Sequence, residues 1–175
     1  MKDFRFGRVS GLDLSARPST IRWSIALWTV TAALAALLLH IAVGAAVAVG
    51  LAALILHWFS VLVHQFGHAV AARRTGFPMN GIRFWGLLST ALYPEDEPPL
   101  PAGTHIQRAL GGPIASLVLT FLAWMLMTAA RGDDGPIWWI TIFFFAENLV
   151  VFTLQAFVPL GFNDGATLWH WWRRR

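Results

Sequence analysis

The chain contains no cysteine. That excludes disulfides and any metal site built on thiolates. Charge is scarce as well. Only 13% of the 175 residues are Asp, Glu, Lys or Arg, where a soluble domain carries about a quarter. From Trp23 to Ala72 there is none at all. As one helix this charge-free run would be about 75 Å long, against roughly 30 Å for the hydrocarbon core of a bilayer. The run must therefore turn once. Internal repeats and low-complexity tracts are missing too. So is the pattern of a cleavable signal, in which an apolar stretch directly follows a short basic start. Residues 1–22 instead mix Lys2, Arg5, Arg8, Arg17 and Arg22 with Phe4, Phe6, Val9, Leu12 and Leu14.

What is present is apolar. Hydrophobic residues make up 57% of the chain, tryptophan occurs ten times and the mean hydropathy is +0.58. These values predict an all-α membrane protein. The expected architecture is one domain over 1–175, with four transmembrane helices and a small β element at the cytoplasmic membrane surface. Gly44 and Gly50 flank the expected turn, giving helices over about 21–43 and 46–73. A third helix is expected over 104–130. There "THIQ" reads as a capping box with Thr104 as N-cap and Gln107 reaching back. The "GGP" at Gly111, Gly112 and Pro113 predicts a kink or a close helix contact. The fourth span, 136–159, holds a single charged residue, Glu147.

The placement of positive charge sets the expected orientation. With four spans and the N-terminus inside, the inner segments hold Lys2, Arg5, Arg8, Arg17, Arg22, Arg73, Arg74, Arg83, Arg108, Arg173, Arg174 and Arg175. The outer segments hold only Arg131. This asymmetry predicts a multi-pass protein of the cell (cytoplasmic) membrane with both termini in the cytoplasm. The basic residues are read as topology signals facing the lipid bilayer, so no nucleic acid is expected as a partner. The tail "ATLWHWWRRR" fits an interfacial anchor. Between the second and third helices lies a cytoplasmic segment, 74–103. Its "MNGIRFWGLLSTALY" predicts one or two strands at the inner membrane surface, with an irregular amphipathic loop as the alternative. "PEDEPPLP" then predicts an extended acidic linker.

The chemistry concentrates at "VLVHQFGHAVAARR". On a helix, His64 and His68 lie one turn apart and point the same way. Two neutral imidazoles on one face can hold Zn²⁺ if a third ligand comes from elsewhere. Asp164 qualifies, because the second and fourth helices both run inward to their motifs. Each piece also has a plainer reading. The histidine pair fits hydrogen-bonded packing, and Asp164 fits a cap on a short tail helix over 166–172. Ionisable residues in a membrane are costly and usually functional, which favours zinc. His57, two turns before His64 on the same face, suits either a polar path or a hydrogen bond to a neighbouring helix. Glu147 is expected to be protonated or paired with a polar group such as His57. His40 falls near the outer end of the first helix, and His105 and His170 read as interfacial.

With these residues assembled, the chain resembles the site-2 protease family of intramembrane zinc metalloproteases. The family pattern is H-E-x-x-H on a transmembrane helix with a distant D-G. Here the pattern reads His64-Gln65-Phe66-Gly67-His68 and Asp164-Gly165. "FRFGRVSGLDL" is similar to the N-terminal strand pair of the compact bacterial members. "HAVAARRTGFP" resembles the segment after their metal helix, and "ALGGPIAS" their G-P-x-x-N segment. "NLVVFTLQAFVPLGFNDG" resembles their last core helix with its N…P…D-G signature. No PDZ or CBS module is seen. The resemblance implies zinc held by His64, His68 and Asp164, and a substrate that is a transmembrane segment of another membrane protein. It implies that the stretch with Gly81, Ile82, Phe84, Leu87 and Ser89 presents a strand edge to the unwound substrate. It also places Ser116, Asn148 and Gln155 as polar groups near the site.

Three positions depart from the pattern. Gln65 stands where the general base belongs. Ser116 stands at the position of an asparagine. Gln155 is the nearest match to a second asparagine, with its spacing to Pro159 shifted by one. Glutamine matches glutamate in shape and can hydrogen-bond water, but it has no basic site at neutral pH. General acid–base catalysis contributes about 10²–10⁴-fold, so little or no turnover is expected. Gln65 suits either an engineered block or a natural pseudoprotease, and Ser116 and Gln155 favour natural divergence. Three functions stay open at this point. One is a zinc-binding protease scaffold with little turnover. Another is a working protease whose base is Glu147. The third is a non-proteolytic zinc-binding membrane regulator that binds transmembrane helices.

Overall fold

The computed structural model describes residues 3–133 and 135–174, so Lys2 and Arg175 of the charge count lie outside the described residues. Two short strands open the chain, β1 (Phe4–Val9) and β2 (Leu12–Ala16). Helix α1 (Pro18–Leu39) follows, with its proline in the first turn, where a missing N–H costs nothing. It ends at His40 in a left-handed conformation, φ 52°. Helix α2 then runs unbroken from Val43 to Arg74. The turn expected between Gly44 and Gly50 therefore falls earlier, at 40–42. Both glycines lie inside α2. A Cβ at Gly50 would sit 2.9 Å from Ala32 of α1, so this glycine permits close helix packing instead of a turn.

Strands β3 (Gly81–Trp85) and β4 (Leu88–Leu92) come next, then α3 (Ala102–Ala129) and α4 (Pro136–Ala146). Helix α3 starts two residues before Thr104, with Pro101 at its N-cap position and no side-chain cap bond, so the expected capping box does not form. Helix α4 continues as a π-helical segment, Glu147–Thr153, and one 3₁₀ turn, Leu154–Phe157, rather than as regular α-helix to 159. The chain closes with α5 (Asp164–Trp172). Four helical segments are long and apolar enough to cross a membrane among the described residues: Pro18–Leu39, Val43–Arg74, Ala102–Ala129 and Pro136–Phe157.

Strands form both in the N-terminal stretch and in the 74–103 segment, as expected. All four strands join one sheet in the order β1-β2-β3-β4. The β1–β2 and β3–β4 pairs are antiparallel hairpins, and β2 lies parallel to β3. Leu12, Ala16, Ile82 and Phe84 turn one face of this sheet onto Val61, Ala69 and Ala72 of α2 in a common core. The sheet does not simply rest at one end of the bundle. Ser89 meets Gln65, and the hairpin turn at Leu87 meets His57, near the middle of α2.

Helices α2 and α3 cross at almost backbone contact. A Cβ on Gly67 would lie 2.6 Å from the Ala115 methyl, and one on Gly111 would lie 2.6 Å from that of Ala71. Small residues at such a crossing let two backbones approach where nothing but lipid would otherwise separate them. The "GGP" stretch thus marks a close helix contact. Pro113 sits within a helix that continues on both sides of it.

Candidate metal centre

The buried stripe of α2 runs through His57, Ser60, Val61, His64, Gln65, His68, Ala69 and Ala72. That is one face of an α-helix at three- and four-residue intervals. Because α2 meets α3 at the Gly67–Gly111 crossing, His64 and His68 of this stripe abut α3. His68 Nδ1 lies 2.8 Å from the carbonyl oxygen of Arg108, and His64 Nδ1 lies 3.0 Å from the hydroxyl of Ser116. A carbonyl only accepts, so His68 donates through Nδ1. Neutral His68 then carries its lone pair on Nε2.

The two Nε2 atoms face each other at 3.1 Å. Asp164 closes the triangle, with Oδ2 3.1 Å from His64 Nε2 and Oδ1 3.3 Å from His68 Nε2. The aspartate reaches this point because Asn163, not Asp164, caps α5. The Asn163 side chain accepts from the amide of Ala166 and donates to the carbonyls of Gln155 and Val158. Asp164, the first residue of the helix, is left free to turn inward, at an end where the helix dipole favours an anion. Gln155 donates to its Oδ2 at 2.6 Å. Burial by itself would raise the carboxyl pKa of Asp164. The neighbouring His68 and the hydrogen bonds to both histidines outweigh that and hold it well below the usual carboxylate range.

These residues fit a zinc ion. A tetrahedral zinc with ligands at about 2.0–2.1 Å has ligand–ligand edges of about 3.3–3.4 Å, close to the three separations above. Two imidazole lone pairs and a carboxylate converging on one point repel one another unless a cation or proton lies between them. Space for it is kept by Gly112, where a Cβ would come within 2.5 Å of His64 Nε2. Each candidate ligand is also oriented from behind, His64 by Ser116, His68 by Arg108 and Asp164 by Gln155. Such outer partners set the tautomer and basicity of metal ligands.

Gln65 is buried beside this cluster at 4% exposure. Its amide nitrogen donates to the Ser89 hydroxyl of β4 at 2.8 Å, while its oxygen is buried with no partner. The strand residues divide. Gly81, Ile82 and Phe84 belong to β3, which is paired on both sides. Ile82 and Phe84 are also core side chains, at 0% and 8% exposure. The expected peptide edge therefore cannot be β3, whose backbone groups are already spent. Within this stretch the unpaired edge is that of β4, the last strand of the sheet, with Ser89 on it and Leu87 in the turn before it.

Asn148 is fully buried and donates to Ser60 and to the Phe144 carbonyl, away from the three convergent residues. Glu147 contacts His57 at 2.5 Å. The Phe152 ring packs against both His57 and His64, with centroid distances of 6.2 and 5.6 Å. An apolar ring thus sits where a polar path from His57 to His64 would run. Three contributors had no sequence signal of their own or an ambiguous one. The Arg108 carbonyl had none, since every residue carries one. Gly112 was visible only within "GGP", and Asn163 was masked by the aspartate beside it.

Arg108 also acts through its side chain. It pairs with Glu97, donates to the Phe77 carbonyl at 2.5 Å and lies 4.2 Å from the centre of the Tyr93 ring. It clamps both ends of the segment carrying β3 and β4 to α3. The Arg108 hydrogen bond holds the Glu97 carboxyl below its ordinary range, and burial pushes the Tyr93 phenol up to about 12.

The fold has a solved counterpart. It is similar to a site-2 protease from Methanocaldococcus jannaschii with a TM-score of 0.65, over 96% of this chain and 70% of that one. Sequence identity is 13%, so the likeness is one of fold. No protein-family model matches the chain, and no curated protein matches it.

Proposed function

We propose that this chain is a zinc-binding membrane protein of the site-2 protease type, which binds transmembrane segments of other membrane proteins and turns over peptide bonds slowly or not at all. The observation that carries this reading is the convergence of His64 Nε2, His68 Nε2 and the Asp164 carboxylate within 4.8 Å of one another, on a fold shared with a site-2 protease. His64, His68 and Asp164 would hold the metal. When bound, zinc supplies Lewis acidity toward a water and a peptide carbonyl.

The chain's own residues do the rest. Ser116, the Arg108 carbonyl and Gln155 keep the three ligands aimed. A helix has no amide free for attack until it is unwound, and an added strand on the free edge of β4 would hold the opened segment by backbone hydrogen bonds. Gln65 stands where a carboxylate would take a proton from water and return it to the leaving amine. An amide has no basic site at neutral pH for that transfer. Four apolar spans, with every lysine and arginine but Arg131 assigned to one side, support a multi-pass protein of the cytoplasmic membrane with both termini inside.

A second reading keeps the zinc and the bound helix but not the chemistry. It is favoured by one observation, that the Gln65 amide is committed to Ser89 and so ties α2 to the hairpin. Metal content and cleavage of a transmembrane substrate, measured with Gln65 and with Gln65→Glu, separate the two. We expect one zinc per chain in both forms and a cleavage gain of about 10²–10⁴-fold in the glutamate form. A glutamate form that holds zinc and substrate but stays inert supports the regulator. Absence of zinc from both forms sinks both readings.

A further inference from the structure

The most buried ionisable pair outside the metal centre has no part in the chemistry above. His57 and Glu147 touch at 2.5 Å, with side chains only 5% and 9% exposed. Both lie in helices long and apolar enough to cross a membrane. Ionisable groups there are costly, and plain helix packing does not need them. Glu147 opens the π-helical segment, and wide turns of this kind are frequent at functional sites.

The other ring nitrogen shows what the pair holds. His57 Nε2 lies 3.1 Å from the carbonyl oxygen of Leu87. Leu87 is the second residue of the two-residue turn between β3 and β4, since the ladder pairs Trp85 with Leu88. Turn carbonyls lie outside the ladder, and one placed beside apolar helices has little water to bond. The carbonyl can only accept, so Nε2 carries the proton, and Nδ1 shares the second hydrogen bond with the Glu147 carboxyl. Glu147 thus fixes the ring, and the ring holds the hairpin tip. The other α2 side chain that bonds to β4 is Gln65, through Ser89. The hairpin is pinned to α2 at two levels, one beside the metal centre and one two helical turns away from it.

We propose that His57 and Glu147 are positioning residues for the β3–β4 hairpin, a latch on the Leu87 carbonyl that sets where the free edge of β4 lies relative to His64, His68 and Asp164. The importance of that edge rests on the reading of β4 as the peptide-binding strand. The latch itself does not. The pair acts through the hairpin and touches neither the metal ligands nor the peptide. With the latch released, Gln65 is the remaining side-chain bond from α2 to the hairpin, beside the Gly86–Ser19 bond to α1 and the Arg108 clamp at the base of the segment, and the edge of β4 moves away from the metal centre.

The absence of cysteine allows a direct measurement. Thr90→Cys on β4 and Val70→Cys on α2 are both at exposed positions and accept spin labels. Pulsed electron resonance then reads the hairpin position in the full chain in detergent or nanodiscs. The parent should give one narrow distance. His57→Asn keeps an amide near Nδ1 for Glu147 but leaves nothing to reach Leu87. His57→Gln places an amide near Nε2. We expect a second, longer distance with Asn and recovery of the narrow one with Gln, the seated fraction changing by roughly twofold to tenfold for one hydrogen bond. Glu147→Leu should loosen the hairpin and Glu147→Gln should not. Zinc content should stay at the parent level throughout. The latch is overturned if His57→Asn leaves the distance unchanged, if Gln loosens the hairpin as much as Asn, or if zinc is lost in step with the hairpin. Capture of a transmembrane helix is scored on the same His57 and Glu147 variants without the cysteines and labels, since Thr90 lies on the strand in question. A parent that captures none while the hairpin responds as described leaves the latch standing and removes the peptide-binding reading of β4.

Discussion

A glutamine amide offers a donor and an acceptor, and Gln65 uses them unequally. Its nitrogen is spent on Ser89 and its oxygen is buried without a partner. A glutamate there would carry no donor, and the Ser89 hydroxyl would have to donate instead. The same economy governs the ligands. Ser116 reaches His64 Nδ1, and Gln155 reaches Asp164. Each of the two puts a hydrogen-bonding side chain behind a candidate ligand. Ser116→Ala should therefore lower zinc affinity about 10- to 100-fold without unfolding the chain, as expected for loss of an outer partner. A chelator competition series on the purified protein measures it. An unchanged affinity would remove Ser116 from the support of His64.

At the scale of elements, the free edge of β4 and the clamp that holds its segment matter most. Proline removes a backbone donor and is tolerated only where that donor is unpaired. Prolines stepped through Leu88–Leu92 should weaken capture of a transmembrane helix at alternate positions, with zinc content constant. Uniform loss of both would make the strand structural. The clamp is Arg108 with Glu97. The folded-state pKa of Glu97 is depressed, so its contribution is complete above the ordinary glutamate range. It is lost as pH falls through the depressed value. The melting temperature of the parent should therefore exceed that of Glu97→Gln at neutral pH, and the gap should close on acidification. A gap that widens toward acid would reverse the sign of the coupling.

At the scale of the molecule, orientation joins these parts. The α2 histidines meet Asp164 because α2 and the Pro136–Phe157 segment run the same way, so His68 and the chain after Phe157 emerge together. If basic residues mark the inner side, the 131–135 loop faces out. Single cysteines placed there should react with an impermeant reagent from the outside only, while cysteines at 96 or 174 should react from the inside only. Labelling of the 131–135 loop from the inside would overturn the topology.

The spans, the candidate ligands and the motif order are legible along the chain, because each is written in local terms. Charge-free runs of helix length, two histidines at one-turn spacing and an aspartate after a helix end all follow from period and composition. Where α2 begins was less legible. A glycine reads alike whether it ends a helix or lets two helices touch, and Gly50 does the second. That β4 and not β3 has an unpaired edge came from the fold, since strand order depends on β2 arriving from the N-terminus to cover β3. The pairing of Glu147 with His57, residues 90 apart in the chain, was one of two expectations for that glutamate, and the fold realises it. And it set the Arg108 carbonyl and Gly112 beside the candidate ligands, where the sequence pointed only to Ser116, Asn148 and Gln155. A backbone carbonyl, a missing Cβ and a polar side chain have no function until the helix crossing at Gly67 and Gly111 brings them within hydrogen-bond reach.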